Sequence, residues 1–92
     1  MSDFRKVIWL EHAIKNLRDR EVPLDEAVKT IETPEWREES YRGRIVLMRM
    51  FNDPMLDQSM LLRIVIEEEL DYITVVTVYK TSNVKRCLKR EK

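Results

Sequence analysis

Apolar residues recur at helical spacing early in the chain and at strand spacing afterwards. Leu10, Ala13, Ile14 and Leu17 lie three and four apart, which places them on one stripe of a helix. At about 100° per residue, His12, Lys15, Asn16 and Asp19 then fall on the opposite, polar side, with Arg20 on the flank. Val22-Pro23 interrupts the pattern, and Pro23 suits the opening position of a second helix. Leu24, Ala27, Val28 and Ile31 form the apolar stripe of that helix. Asp25 and Glu26 in its first turn complement the positive end of the helix dipole. Thr33-Pro34 stops it, so the spacing predicts a tight helical hairpin.

The remaining apolar runs have strand character. Arg5 to Trp9 is a short β-favouring run suited to an edge strand. Arg44 to Phe51 reads as a strand ended by the turn residues Asn52-Asp53-Pro54. Met60 to Glu67 is a second, with Leu62, Ile64 and Ile66 on one face, and Glu68 to Asp71 makes the next turn. Tyr72 to Tyr79 is the most β-branched segment of the chain. Such short connections favour an antiparallel meander. The expected fold class is α+β, with two N-terminal helices packed on one face of a three- to four-stranded antiparallel sheet.

Period two carries a functional expectation. If Leu62, Ile64 and Ile66 face the helices, Arg63 faces away. Placing Val46, Met48 and Met50 inward sends Arg49 outward as well. Arg49 and Arg63 on adjacent strands would then form a positive patch on the uncovered face. The plainer alternative is that both are ordinary solvated strand residues.

At 92 residues with 43% apolar content, the chain supports one domain spanning residues 1–92. Seventeen Lys and Arg balance seventeen Asp and Glu, which argues against a nonspecific basic coat for nucleic acid. The charge is nevertheless uneven. Acid concentrates in Glu35 to Glu39 and Glu67 to Asp71, while a basic tail from about residue 81 adds Lys85, Arg86, Lys89, Arg90 and Lys92 to Lys80. No apolar run reaches the roughly 18 residues of a membrane helix, and the first residues lack signal-peptide order. A cytoplasmic protein with no membrane association is the expectation.

Candidate chemistry is sparse. A single cysteine, Cys87, excludes an internal disulfide, and a Cys-His pair would have to recruit His12 from the other end of the chain. No residue spacing suggests a metal site or a phosphate-cradling loop, so no cofactor is expected. His12 is the one side chain whose ordinary pKa suits proton transfer near neutrality. A lone histidine is also commonly just exposed or bonded to nearby backbone.

Leu10-Glu11-His12-Ala13 through Arg20-Glu21-Val22, then Thr33-Pro34, then Ile73 to Thr81 together resemble a small prokaryotic domain-of-unknown-function family, number four-two-five-eight in that series. The ending Lys80-Thr81-Ser82-Asn83-Val84-Lys85-Arg86 is also similar to that of some members. That family is grouped with RelE-like and barnase-like folds, many of them RNA-cutting toxins. The resemblance implies a metal-independent ribonuclease working by 2′-hydroxyl attack on the adjacent phosphate. Such chemistry needs a base, an acid and cations on the phosphate. His12 would serve as base or acid, Arg20 would be part of the catalytic group, and Tyr79 would stack a base or donate a proton. Arg49, Arg63, Lys80, Lys85 and Arg86 would bind RNA phosphates, and an antitoxin protein would cover the basic face.

The chain departs from that family at three motif positions. Asn16 stands where the family has an arginine four residues after the histidine, Leu10 replaces a Ser or Thr at the helix entrance, and Glu21 replaces a Gly. An arginine-to-asparagine change removes a charge and a bidentate phosphate fork. Two function classes therefore stand: an RNA-cleaving or RNA-binding toxin-like domain, and a noncatalytic protein-interaction module. The second would use its sheet face or edge strand to bind a protein partner or its own copy as a homodimer.

Overall fold

The structure, a computed structural model, describes residues 5–84. In chain order the elements are β1 (Lys6–Trp9), α1 (Glu11–Asp19), α2 (Leu24–Glu32), β2 (Trp36–Glu39), a single 3-10 turn at Tyr41–Gly43, β3 (Arg44–Asp53), β4 (Gln58–Glu68) and β5 (Tyr72–Thr81). The strands form one five-stranded sheet in the order β1-β5-β4-β3-β2.

This corrects the expected three- to four-stranded antiparallel sheet. β2 to β5 do form an antiparallel run, but β1 joins β5 in parallel, pairing Lys6 with Tyr72 through Trp9 with Val75, so the sheet is mixed. Both helices intervene between β1 and the rest, a connection long enough to return the chain for parallel pairing. The second difference is β2. Its Trp-Arg-Glu-Glu sequence lies in the acidic stretch Glu35 to Glu39, yet its backbone pairs with β3 from Trp36–Met48 to Glu39–Ile45. Three of its four side chains are charged, which suits an edge strand and hides it from a search for apolar alternation.

α1 and α2 cover one face of the sheet. The core beneath them joins Ala13, Val22 and Ala27 to Ile45, Leu47 and Phe51 of β3, Met60, Leu62, Ile64 and Ile66 of β4, and Ile73, Val75 and Val78 of β5. Val46, Met48 and Leu61 form a smaller cluster on the other face, against Trp36, Met50, Val65 and Val84. β3 therefore sits opposite to its expected orientation: Ile45, Leu47, Arg49 and Phe51 face the helices, and Val46, Met48 and Met50 face away. Because β3 is apolar on both faces, alternation could not choose between them.

β5 carries an irregularity. Val65 pairs with Thr77 but the next residue, Ile66, pairs with Val75, leaving Val76 as an extra residue. A bulge switches the faces of everything beyond it. Ile73 and Val75 point to the helices before it, Val78 and Lys80 after it, and Tyr79 is sent to the open face.

The helices are also rotated from their sequence stripes. In α1 the buried residues are Ala13 and Asn16, while Ile14 is 49% exposed. In α2 they are Ala27 and Thr30, while Leu24 is 57% exposed. Thr30 is satisfied internally, its hydroxyl donating to the Glu26 carbonyl at 2.8 Å.

Candidate functional site

β1 ends opposite Val75, so no described strand lies along the outer edge of β5 beyond that point. Two side chains of the α1 region take over. The Asn16 Oδ1 accepts from the buried Val78 N–H at 3.1 Å, and Arg20 Nη1 donates to the Val78 carbonyl at 3.0 Å. Being four residues apart, Asn16 and Arg20 share a side of the helix and together replace a strand neighbour for that residue. Helical spacing places Asn16 on the polar side. Its spacing to Arg20 was the available signal, but the buried acceptor it serves is visible only in three dimensions.

The proposed phosphate ligands do not gather on one surface. Arg49 faces the helices and meets Glu26 of α2 at 2.6 Å. Arg63 lies on the opposite face, directly across from Met48 and Tyr79. The expected Arg49–Arg63 patch is thus split by the orientation of β3. Lys80 returns to the helix face, where its Nζ pairs with the Asp53 carboxylate and donates to the Glu21 carbonyl. His12 is exposed on α1. Lys85 and Arg86, with the remainder of the basic tail, lie outside the described residues.

On the open face the bulge brings Tyr79 beside Arg63, whose guanidinium carbon stands 5.5 Å from the ring centroid. This is cation–π distance. The Arg63 Nε is buried without a hydrogen-bond partner among the described residues. Among the described candidates, Arg63 and Tyr79 are in direct contact.

Two ion-pair centres hold the ends of the sheet. Asp53, at the end of β3, is 1% exposed, and its Oδ1 also accepts from the Met55 amide at 2.9 Å. Burial pushes this carboxyl upward, but the hydrogen bond from Lys80, the Met55 and Leu56 amides and the Lys80 charge outweigh it, holding the group below its ordinary value. At the other end, Glu68 of β4 accepts from Arg37 of β2 and Arg5 ahead of β1, each at 2.8 Å. Those two arginines hold Glu68 below its ordinary range against the opposing effect of burial. Glu68 thereby ties both flanks of the sheet to its central strand. The depression lined by Arg5, Glu68, Glu69 and Leu70 is wide open to solvent.

Among the described residues, no three His, Cys, Asp or Glu side chains are grouped to hold a metal ion. No described helix is long and apolar enough to cross a membrane. No family model, curated protein or solved structure matches the chain. Its class rests on its own geometry: an α+β domain with a five-stranded mixed sheet, covered by helices on one face.

Proposed function

We propose that this chain is a noncatalytic protein-interaction module. The observation that carries this reading is the engagement of Arg20, Arg49 and Lys80 within the chain. Arg20 bonds a backbone carbonyl, Arg49 pairs with Glu26, Lys80 pairs with Asp53, and Arg63 stacks on Tyr79. A phosphate-cleaving site needs cations free to follow charge developing on a nonbridging oxygen. Breaking a largely buried pair to supply one would leave its partner charge uncompensated. The toxin-like ribonuclease suggested by the family resemblance therefore ranks second.

The surface that best suits a partner is the β1 flank. Among the described residues β1 pairs on one side only, and Ile8 and Leu10 are 39% and 42% exposed. Strand edges recruit partners through backbone hydrogen bonds and alternate side-chain pockets.

The test is incubation of purified full-length protein with RNA in the presence of a chelator, alongside expression in a bacterial host. Intact RNA and unaffected growth are expected. Chelator-resistant cleavage abolished by His12→Ala would overturn the module reading and restore the ribonuclease.

A further inference from the structure

We propose that β1 pairs with β1 of a second copy of this chain, antiparallel about a two-fold axis through Ile8, making one continuous sheet. The inference rests on the interaction-module reading and names its partner.

The register follows from which backbone groups no other described residue engages. Lys6 N–H donates to the Asp71 carbonyl and Leu10 N–H to the Val75 carbonyl. In a parallel ladder alternate residues bond the same neighbour, so Ile8 also faces β5. Val7 and Trp9 consequently aim their N–H and C=O groups outward, where no described strand lies. Two free residues separated by one are the repeat of an antiparallel hydrogen-bonded pair. Val7 opposite Trp9 of the second copy, and Trp9 opposite its Val7, would satisfy all these outward groups together. Ile8 then faces its own equivalent across the axis as a non-hydrogen-bonded pair, the closer of the two pair types.

The side chains agree with this register. Ile8 and its equivalent meet on the open face, covering apolar surface that the monomer leaves to water. Val7 and Trp9, half-buried against the core on the helix face, pack against each other's copies. Lys6 comes opposite the second copy's Leu10, one residue from its Glu11. Lys6 and Glu11 are exposed and form no ion pair within the described chain, so two symmetric cross-pairs complete the contact. The other sheet edge lacks this complementarity. Antiparallel two-fold pairing of β2 about Arg37 or Glu38 would oppose each to its own copy, an arrangement that charged edges impose against association.

The test reads the register as well as the association. In wild-type protein, amide exchange at Val7 and Trp9 should slow as concentration rises, whereas Ile8, bonded within its own sheet, should be unaffected. In a Cys87→Ser background, Ile8→Cys should oxidise to a covalent dimer at least about tenfold faster than Ile14→Cys, because the close pair spacing matches disulfide geometry. Ile8→Lys should weaken association at least about tenfold by opposing like charges across the axis. Its partial exposure leaves the fold intact, and unchanged exchange at β4 amides checks this. Concentration-independent exchange at Val7 and Trp9 would overturn the self-pairing, whatever the variants do. A dimer in which the two cysteines oxidise equally would overturn the register and leave the module reading standing. RNA cleavage by the monomer would instead remove the reading itself.

Discussion

Val78 shows how one backbone group can fix a helix. Its N–H and C=O face away from β4 after β1 has ended, and a buried peptide group left unpaired is costly. Asn16 supplies the acceptor and Arg20 the donor, so α1 is turned until Asn16 rather than Ile14 is buried. Asn16→Ala should cost about 1–3 kcal/mol in urea unfolding, the usual penalty for an orphaned buried donor. Asn16→Arg should cost at least as much, because it buries a guanidinium in place of Asn16 and still offers Val78 no acceptor. If Asn16→Arg were neutral, the account of α1's orientation would be wrong. Asp53 gives a pH dependence of definite sign. Its folded carboxyl ionises below its unfolded value, so its contribution is complete above about pH 4 and is lost as pH falls through the lower folded value. Glu68 acts in the same direction. Stability measured by urea titration should therefore drop below about pH 4. Asp53→Asn should be less stable at neutral pH, with Lys80 unpaired, and should show a shallower acid loss. An unchanged acid slope in that variant would remove Asp53 from the explanation.

Elements were legible where one face or one period dominated, and obscured where two demands competed. Both helices, β4 and the start of β5 follow directly from apolar spacing and breakers. β3 does not reveal its orientation because Ile45-Val46-Leu47-Met48 is apolar on both faces and is buried on both. The bulge at Val76 has no glycine or other local signal, yet it decides where Tyr79 and Lys80 point. Together these features explain why Arg49 and Arg63 point to opposite faces although the pattern places both, with Tyr79, on strands. Arg49 fits beneath a helix because Glu26 descends from α2 to meet it. That pair should help fix α2 over β3. Glu26→Ala and Arg49→Ala should each destabilise, and the double variant should lose less than their sum. The coupling energy should be about 0.5–1.5 kcal/mol for a pair buried to this degree. Strict additivity in chemical denaturation would show that α2 is held by apolar packing alone.

At the scale of the molecule, the sheet is a local meander with one long-range closure. β3, β4 and β5 pair over long registers through short turns, whereas β1 pairs only with β5, across both helices and the meander. Closing that interval orders a long stretch of chain for a four-residue ladder, so the entropic cost precedes a small return. The meander should therefore be formed in the folding transition state, with β1 docking afterwards. Ile64→Val, at the centre of β4, should slow folding, while Val7→Ala should leave the folding rate nearly unchanged and accelerate unfolding. Both substitutions should cost about 1 kcal/mol, enough to resolve the two arms of a stopped-flow chevron. The same order gives Lys6 and Ile8 amides in β1 lower protection than those of β4, because their strand can leave without opening the core. Slowed folding in Val7→Ala would instead place the parallel closure inside the nucleus. It would also make β1 a built-in part of the core, tied to β5 before any second chain could reach its outer edge.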